Sequence, residues 1–248
     1  MGWLREKYDK AYFLQRDVDG NQLPYGVHGV EHWQQGELYP RAKALLDLLN
    51  LRGMNILDLG FGRGDAMRYC LQRGARHVAG IDFAEAAVDL ARETLSDYPS
   101  DRYELIHDDM LAVGRDKRLR GPWDHVLMLD AIEHIPRFEV EELLPLVFAR
   151  LRPGGCFVVH TPFYAEDNDV FAHGGNAACA DTSDEFEETQ GMHVNRYTRE
   201  SLARQLENHG FARWTKYIFL RPRSLRPIWA YRGPLRWPLA RFCGYKVG

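Results

Sequence analysis

The amino terminus, MGWLREKYDK, offers no apolar run and carries charge from its fifth residue, so it reads neither as a signal peptide nor as a membrane span. Glu6 stands where an acylation signal following Gly2 needs Ser or Thr, which removes myristoylation as well. No pair of the four cysteines (Cys70, Cys156, Cys179, Cys243) forms a C-x-x-C, the spacing of a zinc site or redox centre. Scattered cysteines fit free thiols in a reducing compartment, and a cytoplasmic protein is the expectation. There is no internal repeat, and a net charge of −3 supplies no overall attraction to nucleic acid. One absence is local: the last 28 residues contain no acid, while holding seven Arg or Lys, four prolines and several aromatics. What remains is ordinary for a globular protein, with 45% hydrophobic and 27% charged residues in a 248-residue chain, room for one α/β domain with appendages.

The most informative segment is ILDLGFGRGD at 56–65. An apolar run carrying Asp58 meets glycines at alternate positions (Gly60, Gly62, Gly64), the pattern of a buried strand turning tightly into a helix. Glycine there permits left-handed backbone and leaves no side chain between the main chain and a ligand. The dinucleotide fingerprint G-x-G-x-x-G is not met, because its third glycine would fall on Asp65, and an NAD reading drops accordingly. A second apolar run, HVAGIDF at 77–83, carries Asp82 near its end, where a carboxylate suits a ribose diol. Apolar runs and amphipathic stretches alternate onward: strands at 54–59, 77–82, 103–107, 125–130 and 156–160, and helices at 65–73, 85–95 and 140–151. This alternation predicts a parallel sheet wound on both faces, with ligands at the rim formed by the carboxyl ends of the strands. Arg152-Pro153-Gly154-Gly155 reads as a helix stop and turn.

On these residues the chain resembles the class I S-adenosylmethionine-dependent methyltransferases, whose first motif is an acid followed by G-x-G-x-G and whose second is an acid ending strand two. The resemblance continues through HDDM at 107–110, WDHVLMLDAIEH at 123–134 and LRPGGCFVVHTP at 151–162, and spans residues 51–220. It implies a Rossmann-like, doubly wound, mostly parallel seven-stranded sheet with S-adenosylmethionine as cofactor. Gly60 and its neighbours Gly62 and Gly64 would then contact the methionine part, Asp82 the ribose and Asp109 the adenine amino group, with Phe83 and Met110 on the ring. Asp108 is a one-residue register alternative to Asp109. Asp58 would order the loop and help hold the cofactor's ammonium.

Asp130-Ala-Ile-Glu133-His134 follows strand four, the rim that faces the transferred methyl in this family. It resembles the E-x-x-E-H segment of ubiquinone-pathway O-methyltransferases and small-RNA 2′-O-methyltransferases, with Asp130 in place of the first Glu. Three roles stay open: a divalent-metal site from Asp130, Glu133, His134 and a distal His193; a proton-accepting or acceptor-orienting role for His134; or structure alone. His193, in GMHVN at 191–195, precedes a helix expected at 198–208 with Thr198 as N-cap, and a neutral imidazole there would accept a proton or ligate a metal. His160 ends strand five on the same rim.

Three segments lie outside the core. Residues 1–50 carry Tyr8, Tyr12, Phe13, Tyr25, Trp33 and Tyr39 and a helical pattern at 41–50, which the resemblance implies to be a cap shaping the acceptor pocket. Trp33 and Tyr25 would either line that pocket or staple the cap to the core. The long connection at 162–195 is lid-like. A strand is expected near 214–220, and the seventh strand has competing candidates at 227–232 and 244–247. The basic tail at 221–248 admits a packed end, an anionic membrane contact or an acidic-partner contact. The reading is a small-molecule methyltransferase acting at oxygen, nucleic acid being disfavoured as a partner. Its alternatives are a metal-dependent RNA 2′-O-methyltransferase and a non-catalytic cofactor-binding regulatory or scaffold protein.

Overall fold

The structure is a computed structural model in which residues 8–14, 32–161, 194–195, 197–214 and 242–246 are described. Its strands are β1 (Asn55–Leu59), β2 (His77–Asp82), β3 (Tyr103–His107), β4 (Trp123–Leu129), β5 (Leu151–His160), β6 (Phe211–Trp214) and β7 (Phe242–Lys246). Its helices are α1 (Lys10–Leu14), α2 (Pro40–Leu46), α3 (Asp65–Gln72), α4 (Glu85–Thr94), α5 (Arg137–Arg150) and α6 (Arg199–Asn208). The strands form one sheet in the order β3-β2-β1-β4-β5-β7-β6, parallel from β3 to β5, with β7 antiparallel to both its neighbours.

Successive strand residues point to opposite faces, so a strand that is apolar throughout must be covered on both. Ile56, Val78, Leu127 and Val158 join the cluster that includes α3 and α4, whereas Leu57, Ala79, Val126 and Phe157 join the one that includes α5 and α6. Sequence order reverses where β1 lies between β2 and β4. The loops after these strands therefore open a crevice at the carboxyl edge of the sheet.

Three expected boundaries change. The turn read at Arg152-Pro153-Gly154-Gly155 lies within β5 as an irregularity, where pairing steps from Trp123↔Leu151 to His125↔Cys156. There the chain needs glycine: Gly154 has φ +73°, and a Cβ on Gly155 would meet the Arg152 carbonyl at 2.9 Å. β6 covers Phe211–Trp214, its buried Phe211 ring packing edge-on to Phe148 at 5.2 Å between centroids, and so takes in the first residue of the strand expected near 214–220; 215–220 lies outside the described residues. The helix read at 41–50 ends at Leu46. Of the two seventh-strand candidates, β7 overlaps 244–247; 227–232 lies outside the described residues. Thr198 does cap α6, in a reciprocal box with Ser201.

Candidate active site

The loop between β1 and α3 has Gly60, Gly62 and Gly64 at φ +77°, +53° and +78°, all in the left-handed region that side chains disfavour. Gly60 also has no room: a Cβ would meet Met110 Cε at 2.9 Å and Ala131 Cβ at 3.0 Å. The loop is tied to β2 by Asp82, whose Oδ2 accepts from Gly62 N at 2.9 Å while Oδ1 accepts from Ala84 N at 3.0 Å. Burial drives the Asp82 pKa up to about 6 against the lowering effect of these amides. Asp58 lies deeper; burial first, then the charges of Asp82 and Asp65, lift it to about 8. Among the described residues, Gly60, Asp82, Phe83, Asp109 and Met110 line one cleft; Asp58, which is buried, and Gly62 and Gly64, which shape the turn, are not part of its lining. Asp109 is the acid of its pair that reaches the cleft, its Oδ1 also accepting from Leu111 N at 2.9 Å; Asp108 instead pairs with Arg115 at 2.8 Å.

The β4 rim supplies the facing wall. Asp130 has φ +51°, unusual for a residue other than glycine. Its carboxylate is held from two sides: Tyr39 Oη donates to Oδ2 at 2.6 Å, and buried His160 places Nδ1 2.6 Å from Oδ1. His134 lines the cleft with its Nδ1 2.9 Å from Tyr8 Oη. Glu133 faces elsewhere. It is 2% exposed, and its Oε2 has no hydrogen-bond partner. Burial, with the Asp130 carboxylate adding to it, pushes the Glu133 pKa well above the usual carboxylate range. Its main-chain carbonyl accepts from Val194 N at 2.8 Å and Asn195 N at 3.0 Å, bringing the start of the α6 segment against the rim. His193 lies outside the described residues. Among those described, no three His, Cys, Asp or Glu side chains assemble as a metal-binding group.

The N-terminal segment completes the wall. Tyr8, Tyr12 and Phe13 line the cleft, and Tyr8 packs edge-on to Phe83 at 5.0 Å between centroids. Trp33 staples instead, its Nε1 donating to Thr94 Oγ1 at 2.7 Å, and Tyr25 lies outside the described residues. Arg63 is an anchor that motif reading passes over. Its buried guanidinium pairs with Asp65 at 3.1 Å, donates to the Phe13 carbonyl at 3.2 Å and lies 5.7 Å from the Trp33 ring centroid. The available signal was a charged residue between two glycines of an otherwise buried loop. Ile135, Pro136, Glu139 and Leu143 also line the cleft, which takes in about 910 Å³ including space open to solvent. No periodic pattern marks them as site residues. Among the described residues no helix is long and apolar enough to cross a membrane.

Comparison with known proteins places this geometry in context. A family model described as a methyltransferase domain matches residues 30–216. The chain is 32% identical over 108 residues to the ubiquinone biosynthesis O-methyltransferase of Pseudomonas fluorescens (strain SBW25), covering 43% of this chain and 44% of that protein. It is 26% identical over 163 residues to the tRNA U34 carboxymethyltransferase of Pseudoalteromonas translucida (strain TAC 125), covering 63% and 47%. The chain thus spans less than half the length of these two curated relatives. Among solved structures, the Burkholderia thailandensis 1,6-didemethyltoxoflavin-N1-methyltransferase with bound 1,6-didemethyltoxoflavin and S-adenosylhomocysteine superposes with a TM-score of 0.64 at 18% identity, covering 100% of this chain and 88% of that one. At that identity the likeness speaks for the fold alone.

Proposed function

The chain belongs to the methyltransferase-domain family, whose cofactor is S-adenosylmethionine, and from that premise we propose that it methylates a hydroxyl oxygen of a small molecule. The cleft fits the cofactor on its own chemistry. Gly60 keeps the floor free of side chains, Asp82 offers a carboxylate for a diol, and Phe83 and Met110 offer apolar and polarisable surface for a base. When bound, S-adenosylmethionine supplies a methyl group activated by a sulfonium centre. The protein's remaining work is alignment and proton removal, since a hydroxyl attacks slowly while it keeps its proton.

One observation carries the reading: His134 lines the same cleft as Gly60 and Asp82. An imidazole there would take the acceptor's proton, with Asp130 orienting the hydroxyl. The N-terminal segment would serve as the cap and 162–195 as the lid. The acids Asp82, Asp109, Asp130 and Glu139 in the cleft lining repel a phosphate backbone, which favours a small acceptor over RNA. The relatives that act in quinone biosynthesis point to phenols and catechols as the first acceptors to try.

The test is release of S-adenosylhomocysteine from S-adenosylmethionine with a panel of phenols, catechols and aromatic amines, run beside short RNAs. Mass and NMR analysis of the product would locate the methyl. O-methylated phenol or catechol supports the reading; product only from amines or only from RNA overturns it.

A further inference from the structure

We propose that Arg63 is a positioning residue that links cofactor binding to the seating of the N-terminal segment. Its main chain belongs to the glycine loop, and its guanidinium holds α1, the short helix from which Tyr12 and Phe13 line the cleft. The inference rests on the cofactor of the family and not on the choice of acceptor.

α1 has five residues, Lys10–Leu14, far fewer than the about 12–15 that an isolated helix needs to persist in water, so it is helical only while docked. The carbonyls of its last turn have no acceptor role to play within the helix. One of them, on Phe13, accepts from Arg63 Nη1 at 3.2 Å, across 50 residues of sequence. Arg63 is 1% exposed and a guanidinium keeps its charge, so its N–H groups need acceptors inside the protein. Asp65 in the first turn of α3 is one: its Oδ2 lies 3.1 Å from both Nε and Nη2. Arg68, one turn on, repeats the arrangement, 3.6 Å from Asp65 Oδ1 and donating to the Trp33 carbonyl at 3.1 Å. A single buried carboxylate thus aims two guanidinium groups at two main-chain carbonyls of the N-terminal segment.

The other end of the link is the loop. Arg63 stands between Gly62 and Gly64, both in left-handed backbone, and glycine gives up more conformational freedom on ordering than any other residue. Arg63 carries the one side chain of that tripeptide, so its anchorage, beside the Gly62 amide on Asp82, holds the stretch in place. Seating α1 therefore orders the loop, and a cofactor that orders the loop favours the seated helix. By linkage the two effects are equal in size. Because Tyr8, Tyr12 and Phe13 line the cleft, the seated state is also the one in which this part of its wall exists.

The experiment measures hydrogen exchange at the main-chain amides of 9–14 in the full chain, with and without saturating S-adenosylhomocysteine. Wild type should exchange about tenfold more slowly with the ligand bound, and Arg63→Met should bind the ligand about tenfold more weakly by calorimetry. In ligand-saturated Arg63→Met the slowing should be gone, whereas direct cover of α1 by the ligand would preserve it. Arg63→Lys keeps the charge but lacks the planar fork that serves Asp65 and Phe13 together, and should fall between the two. It also carries the test if the methionine variant does not fold. A merely structural role would speed exchange in the free and the bound protein alike and leave their ratio unchanged, which overturns the proposal. Exchange at 9–14 that ignores the ligand in wild type overturns it without recourse to any variant. Absence of turnover with every acceptor, beside the expected exchange ratios, would instead refute the methyl-transfer reading and leave the link through Arg63 in place.

Discussion

The two walls of the cleft are built by different means. On the β1–β2 side the contacts stay within one β–α–β unit and are largely main-chain: Gly62 and Ala84 amides on Asp82, separated by 20 and 2 residues, with three left-handed glycines shaping the turn. On the β4 side the contacts are long-range and made by side chains, with Tyr8 on His134 across 126 residues, Tyr39 on Asp130 across 91 and His160 on Asp130 across 30. A wall that folds with its own supersecondary unit suits the part of a reaction every member of a family shares. The other wall depends on which distant segments reach it, and its chemistry changes when they change. Cofactor binding should therefore survive damage to the β4 rim, whereas turnover should not.

The sharpest test is Asp82→Ala. Two charge-assisted hydrogen bonds to a ribose diol, each worth about 1.5–3 kcal/mol, would be lost, so S-adenosylhomocysteine affinity should fall by at least two orders of magnitude. Calorimetry on the folded variant checks this, and unchanged affinity would remove Asp82 from the cofactor wall. His134→Ala should show the converse, with turnover down at least about tenfold and cofactor affinity almost unaltered. Parallel losses in both quantities would erase the distinction between the walls.

The pH response sharpens the comparison further. Asp82 and Asp58 are lifted by burial to about 6 and about 8, so the folded protein without cofactor binds more protons than the unfolded chain between about pH 4 and pH 8. The contribution of these two groups to stability should fall as pH rises through that window, opposite in sign to that of Asp47 and Asp116, whose ion pairs hold them low and whose contribution is lost on acidification. Ribose hydroxyls need the ionised Asp82, so cofactor affinity should weaken in the other direction, as pH drops through about 6. Thermal melts and calorimetry across the window measure the two slopes, and Asp82→Asn should flatten the affinity slope. The smallest expected effect is that of Tyr39→Phe. It removes one hydrogen bond from a carboxylate still held by His160, for a stability loss of about 1 kcal/mol and a few-fold decrease in turnover. A steady-state comparison in which its loss exceeded that of His134→Ala would move the centre of the rim from His134 to Asp130.

The contrast between the walls also explains what was readable in the chain. The alternation of strand and helix, the glycine turn and Asp82 were legible because each is enforced within a few residues by backbone sterics or side-chain period. Asp109 could not be separated from Asp108 until the strand–turn geometry showed which carboxylate faces the cleft. Glu133, grouped with His134 by sequence adjacency, turns its side chain into the interior; one residue of separation in a tight 3-10 turn sends neighbours in different directions. The place of Arg63 between two glycines of a buried loop marks it as unusual but does not name its partners, because Phe13 and Trp33 sit 50 and 30 positions away.

Sequence by itself determined the α/β winding, the methyltransferase resemblance and the glycine turn after β1, since short-range steric rules and the strand period act on neighbours that any chain conformation keeps together. Only the tertiary structure decided that Tyr8 meets His134, that Tyr39 and His160 clamp Asp130 in a left-handed conformation, and that Arg63 pins the N-terminal segment. Those contacts join positions tens of residues apart, and the buried apolar packing that brings them together leaves no local pattern from which the pairing can be read.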